Sequence, residues 1–124
     1  MKVLSIEQMN QLKELGVDVE PNGLDFMYSE VVPVECRLMY AESVCEDDMK
    51  AFTLQDVIEL IPKRIISDYG DASLIMQPNI DDTVYVFSYE VNNEIITWHY
   101  SKNILDAAYQ MLLWVIENGH LKTK

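Results

Sequence analysis

The chain has 124 residues, of which 49% are apolar and 24% are charged, and its formal net charge is −12. This length and apolar content predict one folded domain. No apolar run approaches the ~18 residues of a membrane span, and none forms an N-terminal signal peptide. We therefore expect a cytoplasmic protein without membrane contact. The acidic excess disfavours direct nucleic-acid binding, which needs clustered Lys and Arg.

The first helix is predicted by a capping box. Ser5 stands three residues before Gln8, so each side chain can bond to the other residue's backbone. Apolar residues follow at helical spacing, and Gly16 stands where a helix-ending glycine is expected. We therefore expect a short helix between Ser5 and Gly16.

Two strands are predicted around Pro33. Residues 26–32 and 34–40 both alternate between apolar and polar side chains, and the second alternation is the cleaner one. Pro33 favours a bend or a sheet edge between them. Cys36 in the second strand and Cys45 in the following loop lack zinc-site spacing, so we expect two free thiols.

The second helix is predicted to begin at Thr53, with Asp56 in its first turn. Its apolar residues keep helical spacing until Pro62, which cannot continue a regular helix. Lys63 and Arg64 are expected close to the negative end of this helix.

A β-hairpin is the strongest pattern in the chain. A turn at 68–71, a strand at 73–77 and a connector at 78–82 lead to two longer strands at 83–91 and 94–100. Between them, Asn92 and Asn93 suit a two-residue type I′ turn, since Asn tolerates positive φ. A regular ladder from that turn gives these cross-strand pairs: Val91 with Glu94, Tyr89 with Ile96, Phe87 with Trp98, and Tyr85 with Tyr100. The aromatic face made by these pairs is expected to be the core.

The last helix is predicted from Asn103, an N-cap residue, to Gly119, a C-terminal glycine. One side carries an apolar stripe, and the opposite side should be polar. Leu113 and Trp114 interrupt that polar side. They either fill the core or form a patch for self-association or for a partner.

These elements predict an α+β fold. We expect a single domain spanning residues 1–124, with an antiparallel sheet of about five strands and three helices in the order α-β-β-α-β-β-β-α.

Three segments, residues 1–17, 51–64 and 105–119, resemble small uncharacterised proteins from phage-like and mobile-element regions of Bacteroides-type gut bacteria. The shared features are helix caps and core stripes, such as Ala51-Phe-Thr-Leu-Gln-Asp56 and Met111-Leu-Leu-Trp-Val-Ile116. That family has no assigned activity, so the resemblance implies an accessory-gene context and carries over no functional residue.

The chain shows no familiar catalytic or metal-binding pattern. His99 and His120 have neither a nucleophile signal nor zinc-site spacing, and the acidic pairs and triplets do not match a calcium loop. We therefore expect no metal, no cofactor and no enzymatic activity. The alternative is a small-molecule site or an enzyme site at the 83–100 hairpin, assembled from Asp71, Glu90, His99 and Tyr100.

The acidic charge is concentrated in residues 17–59, the acidic block, which holds 11 acidic and 2 basic residues and hence three quarters of the net charge. The block either keeps the protein soluble or complements a basic partner. We expect an acidic accessory protein that binds a protein partner, with Glu46, Asp47, Asp48, Leu113 and Trp114 as the partner-binding residues. A homodimer through the last helix or the neighbouring strand edge is also expected.

Overall fold

The computed structural model describes residues 3–19, 26–29, 37–40, 49–78 and 83–121. Within these ranges the elements, in chain order, are α1 (Ile6–Glu14), β1 (Phe26–Ser29), β2 (Arg37–Tyr40), β3 (Met49–Lys50), α2 (Leu54–Leu60), β4 (Arg64–Ser67), β5 (Gly70–Pro78), β6 (Tyr85–Val91), β7 (Glu94–Ser101) and α3 (Ile104–Glu117). Every strand pairing is antiparallel, so the predicted α+β class and three helices are confirmed.

The strands form two sheets and not one sheet of about five. One has the order β2-β1-β3 and the other the order β4-β5-β6-β7. β3 and β4 are additional to the prediction. β3 has two residues and β4 has four, which is too short for alternation to reveal a strand.

The chain divides into two compact units, residues 1–53 with 123–124 and residues 54–122. In the first unit, the capping box of α1 is confirmed. The Ser5 hydroxyl accepts a hydrogen bond from the Gln8 amide at 3.2 Å, and the Ser5 amide donates to Gln8 Oε1 at 2.9 Å. Gly16 ends the helix with φ of 91°, and Met9 and Leu12 are fully buried.

Several predictions fall on residues that lie outside the described ranges. They concern the thiols of Cys36 and Cys45 and the partner-binding residues Glu46, Asp47 and Asp48. These stay predictions, as does the single domain.

The second unit begins with α2, which ends at Leu60, before Pro62, as predicted. Its last turn carries no basic residue, and Arg64 belongs to β4, so the predicted proximity of Lys63 and Arg64 to the helix end stays a prediction. The turn predicted at 68–71 joins β4 to β5. There the Ser67 hydroxyl donates to the Gly70 carbonyl at 2.7 Å, and Gly70 has φ of 119°.

The β6–β7 hairpin has the predicted turn but a different register. Asn92 and Asn93 have φ of 50° and 68°, which fits a type I′ turn, and Val91 pairs with Glu94. Glu90 then pairs with Ile95, but Tyr89 pairs with Thr97, so Ile96 is the extra residue of a β-bulge.

The bulge makes the other predicted pairs wrong. Tyr89, Phe87 and Tyr85 lie opposite Thr97, His99 and Ser101 instead of Ile96, Trp98 and Tyr100. Because side chains alternate with period two, one extra residue moves the rest of β7 to the other face. Phe87 and Tyr89 are buried as expected, whereas Tyr85, Trp98 and Tyr100 are 40%, 57% and 52% exposed.

α3 closes the second unit. The Asn103 side chain accepts from the Leu105 amide at 2.9 Å, which confirms the N-cap. Gly119, with φ of 74°, follows the C-cap residue Asn118. α3 packs against β6 and β7, and its apolar stripe is buried there: Ala108, Met111, Leu112 and Val115.

Candidate binding surface

The four-stranded sheet has two unlike faces. Residues that lie opposite each other in the register share a face, and successive residues of a strand alternate between faces. The covered face carries Phe87, Tyr89 and His99, and α3 packs on it through Trp114. The other face, which we call the open face, carries Ile75, Val86, Ser88, Ile95, Trp98 and Tyr100.

An aromatic pair dominates the open face. Trp98 and Tyr100 are two residues apart on β7 and therefore point to the same side. Their rings stack, with centroids 5.0 Å apart and planes inclined by 22°. The two side chains remain more than half exposed. Large rigid rings with this exposure are favoured anchors of protein interfaces.

The apolar character of the open face extends beyond the two rings. Trp98 lies opposite Ser88, which in turn lies opposite Ile75. Ile95, next to the hairpin turn, is 57% exposed, and Ile66 on β4 is 81% exposed, whereas Ser88 between the edges is buried. The exposed apolar side chains of this face therefore cluster on β7, with Ile66 separate from them at the β4 edge. Exposed apolar side chains that lie together mark interaction sites more often than single ones do.

Charged residues share this face. The register places Arg64, Ser73 and Glu90 in one row, and Asp71 lies opposite Ile66. The open face therefore combines aromatic and aliphatic groups with interspersed charges, the composition of a protein interface.

Tyr89 anchors the covered face. It is fully buried, and its hydroxyl donates a hydrogen bond to the Pro62 carbonyl. Burial raises its pKa well above the ordinary value of a tyrosine, so the hydroxyl stays a neutral donor. Its ring lies 5.9 Å from the ring of Trp114. The hydrogen bond to Pro62 thus connects the loop after α2 to the centre of the sheet, and the ring contact connects α3 to it.

His99 belongs to the covered face as well. Its Nε2 atom lies 3.0 Å from Thr97 Oγ1, and its ring centroid lies 6.5 Å from that of Trp114. Burial lowers the pKa of His99, because the charged form loses hydration. Glu90 and Tyr100 point to the open face, so the sheet separates them from His99.

The residues of the alternative enzyme site are therefore not brought together around His99. Asp71, Glu90 and Tyr100 share the open face, and His99 lies on the covered face. The bulge at Ile96 separates His99 from Asp71 and Glu90, and Tyr100 follows His99 directly in β7 and therefore points to the opposite face in any register.

Leu113 and Trp114 are half-buried on α3. Besides its contacts with Tyr89 and His99, the Trp114 ring stacks on His120, with centroids 5.4 Å apart and planes inclined by 24°. These contacts within the chain account for an aromatic residue on the side of α3 that was expected to be polar. The partner-binding role of Leu113 and Trp114 stays a prediction.

A small apolar cavity of about 180 Å³ lies where the end of β5 and the start of β6 meet the start of α3. It is lined by Met76, Gln77, Pro78, Tyr85, Val86, Phe87 and Ile104. Small-molecule pockets usually measure about 300–1,000 Å³, so this cavity fits one side chain of a partner better than a cofactor.

In the part of the chain that the structure describes, no three His, Cys, Asp or Glu residues are grouped as a metal site would require. None of the helices in these ranges combines the length and apolarity needed to cross a bilayer.

The open face was missed by sequence reasoning because Trp98 and Tyr100 were assigned to the core. The only signal for it is the pair Ile95-Ile96, since two adjacent isoleucines after a tight turn leave room for either register. Comparisons with protein-family models, curated proteins and solved structures find no match to this chain.

Proposed function

We propose that this chain is a non-enzymatic accessory protein that binds a basic protein partner, with the open face as the docking surface. The observation that carries the proposal is the stacked, half-exposed pair of Trp98 and Tyr100 on a sheet face rich in aliphatic residues. Exposed aromatic rings beside aliphatic side chains, with charged residues on the neighbouring strands, resemble the anchor regions of known interfaces.

The class of partner follows from the charge. A chain with a net charge of −12 attracts basic surfaces and repels acidic ones over roughly a Debye length, about 8 Å at physiological ionic strength. The acidic block steers the encounter, and burial of the open face then slows dissociation. A basic protein that acts on nucleic acid fits this description, and its inhibition by an acidic surface is the specific form that we favour.

The test is a comparative capture from the native host. Immobilised wild-type protein, a Trp98→Thr/Tyr100→Thr variant and a Tyr69→Thr variant are exposed to the same extract, and bound proteins are identified by mass spectrometry. Thr favours strands and Tyr69 lies in an exposed turn, so all three proteins should fold, which circular dichroism verifies. Tyr69 is the matched control, because it is an exposed aromatic residue in the turn between β4 and β5 and not on the open face.

The proposal expects a basic protein that wild type and the Tyr69 variant retain and the Trp98→Thr/Tyr100→Thr variant loses. Raising salt from 0.1 to 0.5 M should release it, and neutralising Glu46, Asp47 and Asp48 should slow its association more than it speeds its dissociation. Equal capture by all three proteins, or a partner indifferent to salt, contradicts the proposal.

A further inference from the structure

β7 is one of the two edge strands of the four-stranded sheet. In the sheet order β4-β5-β6-β7, the strand β7 has a described neighbour on one side only. Edge strands are normally protected by Pro, by charges along the strand or by bulges, because their unpaired backbone groups invite another strand. From Thr97 to Ser101, β7 has no Pro, no Asp, Glu, Lys or Arg, and no register shift.

The backbone of this edge is oriented for pairing. The Tyr100 carbonyl accepts a hydrogen bond from the Gln110 side chain at 3.4 Å, so this carbonyl faces a donor outside the β6–β7 ladder. In an antiparallel strand, alternate residues direct their backbone groups to the same side, which gives Trp98 the same orientation. Gln110 also donates to Asp106 at 3.0 Å and keeps that partner if Tyr100 pairs elsewhere.

The ends of β7 carry opposite charges. Glu94 begins the strand, and Lys102 follows its last residue. When two copies of β7 run antiparallel, the Glu94 end of each lies beside the Lys102 end of the other. The edge is therefore complementary to itself in charge, and a second copy of this chain is the occupant that it fits.

We propose that two copies of the protein associate through antiparallel pairing of their β7 strands, with a two-fold axis at His99. In this register Trp98 of each copy pairs with Tyr100 of the other, on the open face. Thr97 pairs with Ser101, and Lys102 lies diagonal to Glu94, within reach of a long side chain. The bulge at Ile96 stays outside the paired segment.

The dimer joins two four-stranded sheets and places two stacked aromatic pairs side by side. A fully covered aromatic side chain buries about 150–250 Å², so the half-exposed rings offer roughly 200 Å² per copy. This is a small interface, and we expect a dissociation constant of about 1 μM or weaker. The inference goes beyond the proposed function, which needs a partner protein but no second copy.

The test is sedimentation velocity of the full chain in 0.15 M salt, from about 5 to 500 μM, without any partner. Wild type should pass from monomer to dimer. Trp98→Thr/Tyr100→Thr should raise the dissociation constant at least tenfold, and Ile66→Thr should change it less than twofold. A monomer at every concentration overturns the proposal, and so does a dimer that the aromatic variant leaves intact.

A charge exchange makes the test specific for antiparallel self-pairing. Lys102→Glu places two acidic ends together, and Glu94→Lys places two basic ends together, so each variant alone should dimerise at least threefold more weakly. An equimolar mixture should form a heterodimer at close to wild-type affinity, because each Lys then meets a Glu. A mixture that associates no better than its components overturns the register. Neither variant changes the open face, so partner capture remains a separate readout.

Discussion

The register of the β6–β7 hairpin predicts unequal effects of two aromatic substitutions. Phe87 is 1% exposed on the covered face, whereas Trp98 is 57% exposed on the open face. A regular hairpin without the bulge would make them cross-strand partners in one core. Phe87→Ala and Trp98→Ala therefore distinguish the two arrangements by stability alone.

The magnitudes follow from burial. Truncation of a buried Phe to Ala costs about 3–5 kcal/mol, because transfer free energy is lost and a cavity remains. Less than half of the Trp98 side chain is covered, which is roughly 110 Å² of the ~250 Å² that a fully buried Trp contributes. At ~25 cal/mol per Å², removal of this covered area lowers the free energy of unfolding by at most about 2.7 kcal/mol. Ala retains part of that contact and no cavity forms, so we expect about 1–2 kcal/mol.

Urea unfolding followed by tryptophan fluorescence measures both values. Trp98 and Trp114 both belong to the unit of residues 54–122, so the signal reports on the unit that contains the substitutions. Trp98→Ala retains Trp114 as its probe, and circular dichroism provides a second signal for both variants. Equal losses in the two variants, or a loss below about 1 kcal/mol for Phe87→Ala, would refute the bulged register.

Three other predictions concern the same unit. Burial lowers the pKa of His99, so between its folded and unfolded pKa the unfolded state binds more protons. In urea unfolding, wild type should therefore lose stability as pH falls from 7 to 5.5, and His99→Gln should not. Trp114→Glu should strongly destabilise the unit, because the charge would enter the contacts with Tyr89 and His99, and a folded variant that only loses self-association in light scattering would contradict this. Deletion of Ile96 should lower the free energy of unfolding by only about 1–2 kcal/mol, because this extra residue has no partner in the ladder. Trp98 should stay accessible to acrylamide quenching in the deletion variant, and shielding of Trp98 would contradict the bulge.

Features that depend on neighbouring residues in the chain were predictable. The bonds between Ser5 and Gln8, the Asn103 cap and the Asn92-Asn93 turn each arise within about three residues, so the sequence contains all the participants. Gly16 ends α1 for an equally local reason, because glycine adopts positive φ without steric cost.

The register beyond the turn was not predictable, because it depends on what packs on each face. A regular ladder would bury Trp98 and Tyr100 and expose Thr97 and His99. In the bulged ladder Thr97 and His99 bond to each other on the covered face, and His99 meets Trp114 of α3. That contact joins residues 15 positions apart, and no local pattern in β7 reveals it.

The same bulge links the fold to the proposed function. Trp98 and Tyr100 leave roughly 200 Å² of aromatic surface exposed. Complete burial of that area would stabilise the fold by about 5 kcal/mol at ~25 cal/mol per Å², and the half-exposed arrangement forgoes this stabilisation. The loss is offset when another surface covers the rings. A net charge of −12 can keep a protein soluble but leaves such a face uncovered, so solubility alone does not account for it. The proposed association through the open face or through the β7 edge would cover the rings and account for their exposure.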